Sequence, residues 1–170
     1  PLFNQVPNYN IGSDYPTVPA YTDAQLPAMI TSQTQKNAVR LSVAFPVPNT
    51  LPYYRTKPEQ YISNMLGHEG EGSLHSLLIQ RGWIESLGAG TQSLDRNTSL
   101  ISANFELTKA GSNHVPEIMG LFFAQIDMLK SVEPEAWRYS EQAKVAELAF
   151  QFQERGSTVG FVYQMAPRLN

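Results

Sequence analysis

Three histidines are the residues of this chain whose chemistry could include metal binding. His68 and His75 are seven positions apart, and His114 lies far from both in the sequence. Gly70 and Gly72 separate the first two histidines, so a shared helical face cannot be assumed. A tetrahedral zinc site would need one or two further ligands at positions that the sequence does not indicate. Structural or surface histidines are the preferred interpretation, and we expect no metal ligand in this chain.

The glycine-rich segment over residues 67–73 resembles a phosphate-binding loop only superficially. It lacks the lysine that precedes the serine in such loops. Glu69 and Glu71 lie within it, and their carboxylates would repel a phosphate. Gly88-Ala-Gly90 is not followed by the third glycine of a dinucleotide fingerprint. Both nucleotide-binding interpretations therefore fail.

Nucleophilic catalysis has equally little support in the sequence. Ser73 and Ser76 flank His75, but close neighbours on one helix do not face each other, and no Gly-x-Ser-x-Gly elbow occurs. Cysteine is absent, which excludes disulfides and thiol nucleophiles. A pair of acids for glycoside hydrolysis stays open at Glu69 and Glu71, without specific support. We therefore predict no catalytic residue in this chain.

Composition limits the possible partners. A chain of 170 residues with 42% hydrophobic residues can bury a core as one domain or most of one. Its formal charge of -3 is spread without a basic stripe, so we expect no nucleic-acid partner. No apolar run approaches the roughly 18 to 20 residues that span a bilayer, so we expect no membrane partner.

The elements that must position these residues begin after a proline-rich segment. Residues 1–30 contain five prolines and no hydrophobic periodicity, which predicts an extended linker. Residues 31–170 are then one domain, which we expect to be truncated at its C-terminus. Alternating apolar residues from Val39 to Phe45 predict a strand that Pro46 and Pro48 close. Two further strands are predicted over residues 83–92 and 100–108.

Helices are predicted between and after these strands. Thr56-Lys-Pro-Glu59 indicates a helix start, with threonine as the N-cap and glutamate three residues later, and Gly67 ends that helix. Ser73 begins a second short helix. Longer helices are predicted over residues 115–129 and 134–154, and a last one begins near Ser157. The order β-α-α-β-β-α-α indicates an α+β fold, with helices packed against one mostly antiparallel sheet.

Apolar periodicity also predicts which side chains are buried. The third strand should turn its residues 101, 103, 105 and 107 to one face, and the first helix should bury Ile62, Met65 and Leu66. The following aromatic side chains are expected in the core or at a domain interface: Trp83, Phe122, Trp137, Tyr139 and Phe150.

Two linked segments carry a family resemblance. They are Leu66-Gly-His-Glu-Gly-Glu-Gly-Ser-Leu74 and the following Arg81-Gly-Trp-Ile-Glu-Ser-Leu-Gly-Ala-Gly90. The pattern continues through Phe105-Glu-Leu-Thr-Lys-Ala-Gly111 and Pro134-Glu-Ala-Trp137. The order and spacing resemble the non-catalytic second domain of the pitrilysin/insulinase family of zinc metallopeptidases, from about Val39 to the end of the chain.

This resemblance implies a two-layer sandwich of the processing-peptidase-like metalloprotease family, with helices on one face of a mostly antiparallel sheet. It also implies that the parent protein is a zinc-dependent metalloendopeptidase that cleaves peptides. The active domain of the family carries an H-x-x-E-H helix, which this chain lacks. Zinc is therefore expected in the preceding domain of the parent protein and not in this fragment. The implied partners are a peptide substrate and the other domains of the same chain.

The resemblance further implies a substrate-holding site. Its matching positions are Gly67, Glu69, Leu87, Ala89 and Thr91. A strand with small residues lets a peptide backbone approach and pair as an added strand. A carboxylate could then hydrogen-bond the free amine of the peptide. Alternatively, the strand glycines permit a twisted or bulged strand, and the glutamate is a solvated cap of the second helix.

Two other functions stay open under the same resemblance. Some members of the family are structural or assembly subunits without protease activity. Others are cofactor-biosynthesis peptidases, such as those of pyrroloquinoline quinone synthesis. An intact zinc motif in the preceding domain would distinguish the first of these from a protease. By analogy with bacterial members, we expect a periplasmic location for the parent protein.

Overall fold

The computed structural model describes residues 20–33, 39–154 and 156–166, together with residues 5, 7 and 9. The chain forms two compact units, Pro1–Leu129 and Lys130–Asn170. The extended linker predicted over residues 1–30 lies mostly outside the described residues, so it stays a prediction. Short 3-10 turns occur at Asp23–Gln25, Leu51–Tyr53 and Gly111–Asn113.

A three-stranded antiparallel sheet organises the first unit. Its strands are β1 (Val39–Pro48), β2 (Ile84–Ser93) and β3 (Thr98–Leu107), in the order β1-β3-β2. β3 is therefore central, and β1 and β2 are the edge strands among the described residues. A tight turn joins β2 to β3, where Asp95 Oδ1 accepts hydrogen bonds of 2.7 Å from the backbone N–H groups of residues 97 and 98.

The first strand extends further than the sequence predicts. Pro46 and Pro48 are expected to close it, yet both lie within β1, which pairs with β3 along its whole length. A proline removes a backbone donor, which disrupts a strand that must pair on both sides. Because β1 pairs on one side only among the described residues, both prolines fit the edge strand.

Three helices cover one face of this sheet: α1 (Pro58–Leu66), α2 (Leu74–Gln80) and α3 (Val115–Ser131). The predicted alternation in β3 is confirmed, since its residues 101, 103, 105 and 107 are all buried against the helices. Phe105 and Phe122 lie at the centre, in an edge-to-face contact with ring centroids 5.7 Å apart. The predicted α+β fold, with helices on one face of an antiparallel sheet, is confirmed.

The opposite face of the sheet is polar. Arg40 Nη2 donates to Glu106 Oε1 at 2.9 Å, and Ser86 Oγ donates to Glu106 Oε2 at 3.1 Å, which links all three strands. The hydrogen bond from Arg40 holds the pKa of Glu106 below its ordinary value of 4.5, with a smaller contribution from Ser86. The charges of this face therefore stay paired in solvent, away from the core.

Two predictions about α1 are wrong. Its N-cap is Lys57, with φ 46°, and the side chain of Thr56 instead donates to the carbonyl of Tyr53. The 3-10 turn just before the helix competes for that hydroxyl, so no capping box forms. The burial of Leu66 is confirmed and Met65 is half-buried, but Ile62 is 42% exposed and Ser63 is buried in its place, so the buried face is rotated from the predicted one. By contrast, the predicted start of the second helix at Ser73 is confirmed, and Ser73 Oγ caps α2 by accepting from the N–H of residue 76.

The second unit contains α4 (Ala136–Gln151) and α5 (Thr158–Met165). Its aromatic side chains Trp137, Tyr139 and Phe150 are exposed, so the core interpretation is wrong for them. Their predicted alternative place at a domain interface stays open. No helix among the described residues is long and apolar enough to cross a membrane.

A tight contact joins the start of β2 to the loop before α3. A Cβ added at Gly111 would lie 1.8 Å from the carbonyl oxygen of Trp83, so any side chain there forces the two backbones apart. Trp83 in turn stacks on His114, with ring centroids 4.4 Å apart. The guanidinium of Arg81 lies over the Trp83 ring, 4.8 Å from its centroid. Gly111 is thus required for the junction between sheet and helix.

We predict opposite effects of alanine at two glycines. Gly111→Ala should lower the free energy of unfolding by roughly 1 to 3 kcal/mol, because the added methyl group overpacks the backbone contact. Gly120→Ala is the matched control: this exposed position within α3 has open space around it. It should raise stability by roughly 0.5 to 1 kcal/mol, through lower unfolded-state entropy. Urea unfolding followed by circular dichroism measures the stability of both variants. Equal changes in stability would contradict the tight backbone contact assigned to Gly111.

Candidate functional site

An open cleft of about 640 Å³ lies between α1 and β2. It contains all five positions that the sequence predicts for substrate binding, which are Gly67, Glu69, Leu87, Ala89 and Thr91. The structure therefore brings together residues from two elements that are about twenty positions apart. The remaining lining comes from the 3-10 turn, from α1 and from β2: Thr50, Leu51, Glu59, Gln60, Ser63, Asn64, Gly88, Gly90 and Ser93.

Two contacts hold α1 beside β2 and determine the direction in which they run. Gly67 ends the helix, and a Cβ added there would lie 3.1 Å from the backbone nitrogen of Ala89. One turn earlier, Ser63 Oγ lies 3.3 Å from Thr91 Oγ1, within hydrogen-bond distance. Residue 67 is thus beside residue 89, and residue 63 beside residue 91. The helix and the strand therefore run in opposite directions along the cleft.

The outer edge of β2 has backbone groups available for pairing. Among the described residues β2 pairs only with β3, and an edge strand presents alternate N–H and C=O groups that its neighbour does not use. A Cβ at Gly88 or Gly90 would meet no atom within 4 Å. The irregularity in the β2–β3 pairing lies between Ile84 and Ser86, so the glycines are not there to form a bulge.

The lining of the cleft is acidic. Glu59 and Glu69 contribute carboxylates, and no lysine or arginine is among the lining residues that the structure describes. Glu69 is exposed and makes no hydrogen bond or ion pair within the described ranges. Ser73 provides the side-chain cap of α2, so Glu69 is not that cap. The carboxylate of Glu69 is therefore free to contact a ligand.

Sequence reasoning missed part of this site. Glu59 was interpreted as a capping-box residue, and Ser63 was not considered. Their spacing with Gly67 is i, i+4 and i+8, which places all three on one side of a helix. That spacing is visible in the sequence, but nothing local indicates that a strand lies against that side.

The histidines do not form a metal site. His68 is exposed in the loop after α1, His75 lies on α2, and His114 stacks on Trp83 with its Nδ1 3.2 Å from Glu117 Oε1. Across residues 39–154 and the other described positions, no group of three His, Cys, Asp or Glu residues could hold a metal ion. The residues present here do not fit zinc.

Comparisons with known proteins agree with this architecture. Residues 2–144 match the family described as the peptidase M16 inactive domain. The chain belongs to this family. It is 29% identical over 169 residues to the peroxisomal insulin-degrading enzyme-like 1 of Arabidopsis thaliana, covering 99% of this chain and 17% of that protein. It is 30% identical over 166 residues to the insulin-degrading enzyme of Homo sapiens, covering 97% of this chain and 16% of that protein.

The fold of this M16 inactive domain also matches a solved structure. The crystal structure of pitrilysin aligns with a TM-score of 0.84 at 22% identity, over 98% of this chain and 18% of that one. The predicted membership of the pitrilysin/insulinase family is therefore confirmed. The chain spans less than a fifth of the length of these proteins.

The approach of α1 to β2 gives a prediction of its own. Gly67→Ala should lower stability by roughly 1 to 2 kcal/mol and shift the backbone amide resonances of residues 87–91, because its methyl group meets the backbone of Ala89. Gly70→Ala is the control, since its methyl group meets only the flexible ring of His68. Urea unfolding and NMR measure the two effects. Equal shifts in both variants would show that Gly67 does not set the helix–strand distance.

Proposed function

We propose that this M16 inactive domain is the substrate-holding, chamber-forming and non-catalytic domain of a zinc-dependent metalloendopeptidase. Its cleft between α1 and β2 holds the amino-terminal end of a peptide. The observation that carries this proposal is that five positions chosen from the sequence line one cleft along the open edge of a strand. Peptide cleavage takes place in another domain of the parent protein.

Backbone pairing supplies most of the binding. A peptide added alongside β2 would hydrogen-bond the outward N–H and C=O groups, which is the usual mode of strand addition. Gly88 and Gly90 leave space for a peptide backbone to approach closely, and Ala89 between them has only a methyl group as its side chain. Such pairing is independent of the peptide's side chains, so it suits an enzyme that holds many different substrates.

The carboxylate of Glu69 supplies the preference for a free amino terminus. It lies in the loop beside Gly67 at one end of the cleft and is free of partners in the described part of the chain. An ammonium group placed there would form a charge-assisted hydrogen bond. The hydroxyl of Thr91 is already within hydrogen-bond distance of Ser63, so we assign to Thr91 a backbone contact only.

The relatives support a peptide as the ligand. They include insulin-degrading enzymes and the A-factor-processing enzyme of Saccharomyces cerevisiae, which is 28% identical over 165 residues. Because the described residues here do not fit zinc, we assign the metal to another domain of the parent protein. The periplasmic location expected from the sequence stays a prediction.

Free-amine peptides should bind more tightly than the same peptides with an acetylated amino terminus. We expect about a ten-fold difference, which corresponds to one hydrogen bond to a charged group. The difference should disappear in Glu69→Gln. Glu71→Gln is the matched control, because Glu71 is equally exposed but does not line the cleft. Fluorescence anisotropy with peptides labelled at the carboxyl terminus measures the affinities.

The outcomes of this experiment separate the candidate functions. Equal affinity of free and acetylated peptides in the unmodified chain would remove the role of Glu69. Absence of binding by any peptide would remove the substrate-holding function and favour a structural or assembly subunit.

The purified chain should retain less than stoichiometric zinc after incubation with zinc and extensive dialysis, because its histidines are dispersed. Elemental analysis by mass spectrometry measures the ratio of metal to protein. A tight one-to-one site would contradict the assignment of zinc to another domain.

A further inference from the structure

Glu59 is an acid in the cleft that forms no ion pair among the described residues. It is the second residue of α1 and half-buried, and its Oε2 atom is fully buried without a hydrogen-bond partner among the described residues. A buried carboxylate oxygen without a donor loses its hydration and gains nothing in return. A ligand that brings a hydrogen-bond donor to this carboxylate would offset the free energy lost with its hydration.

Helix capping does not account for this carboxylate. A glutamate in the first turn benefits from the helix dipole, and a capping box would also give it a backbone donor. The cap residue here is Lys57 in a left-handed conformation, and it offers no cap hydrogen bond from its side chain. No ion pair with Glu59 occurs within the described residues. Its side chain therefore lines the cleft without an ion pair among the described residues.

The position of Glu59 along the cleft follows from the antiparallel course of α1 and β2. Ser63 lies beside Thr91 and Gly67 beside Ala89, so Glu59, one turn before Ser63, lies toward Ser93. Eight residues separate Glu59 from Gly67, which is about 12 Å along a helix. Glu59 is thus at the opposite end of the cleft from Glu69.

That separation corresponds to a definite position in an extended peptide. A strand advances about 3.3 Å per residue, so about 12 Å is roughly four residues. A peptide with its ammonium group at Glu69 would bring its fourth or fifth residue to Glu59. Of these two neighbours, one points its side chain toward α1, because successive side chains in a strand alternate.

We propose that Glu59 determines substrate specificity by binding a lysine or arginine side chain at the fourth or fifth residue of the bound peptide. This inference rests on the proposed peptide-holding function and adds to it a preference for a basic side chain. Two acids and no base line the described cleft, so a second cation on the peptide meets a complementary charge.

A lysine scan tests this directly. Eight-residue peptides with a free amine, a carboxyl-terminal fluorophore and otherwise uncharged residues carry one lysine at each position in turn. The reference peptides have norleucine, which has the same length without the charge. We expect lysine at the fourth or fifth residue to bind about ten-fold more tightly than norleucine, and lysine elsewhere to have a smaller effect.

The variants assign the effect to one residue. In Glu59→Gln the preference for lysine should disappear, while the preference for a free amine over an acetylated one should persist. Glu71→Gln should retain both preferences. Circular dichroism of each variant verifies that it is folded.

Every outcome bears on one of the two proposals. A lysine preference of equal size in the unmodified chain and in Glu59→Gln, or one centred on another position, overturns the inference about Glu59. Discrimination between free and acetylated peptides without any lysine preference overturns it as well and leaves the proposed function standing. A lysine preference that depends on Glu59, without an effect of acetylation, supports the role of Glu59 in binding lysine and overturns the role of Glu69 in binding the free amine. If none of the peptides binds, both proposals fall.

Discussion

The structure of the first unit depends on the pairing of β3 with a neighbour on each side. This pairing directs residues 101, 103, 105 and 107 toward the helices, where Phe105 meets Phe122 in the core. It also places β2 at the edge of the sheet. The same constraint that buries the core therefore leaves β2, like β1, with one edge that is unpaired among the described residues.

The site depends on how closely a helix can approach that edge strand. Gly67 brings the end of α1 against the backbone of Ala89, and Ser63 lies within hydrogen-bond distance of Thr91. A cleft forms along the strand, with a glutamate near each end. Its described lining contains no base and its strand edge is extended, and these two features are the reasons for proposing a cationic peptide as the ligand.

Much of the fold could be predicted from the sequence because periodicity and caps are local properties. The alternation in β3, the helix start at Ser73 and the order of the elements are all present in the structure. The failures had two causes, a competing local turn and a strand order that depends on distant contacts. Thr56 bonds the turn just before α1 and does not cap that helix. The prolines of β1 are accommodated because only one side of that strand is paired among the described residues.

The sequence by itself determined the family and the α+β class, since its motifs and its periodicity are local properties, and the family resemblance indicated five of the positions that line the cleft. The tertiary structure alone decided that, within the described residues, β2 is an edge strand and Glu59 lines the cleft with an oxygen that has no hydrogen-bond partner. Strand order and side-chain burial depend on contacts between residues far apart in the chain. The spacing of residues within one element carries no information about what packs against it.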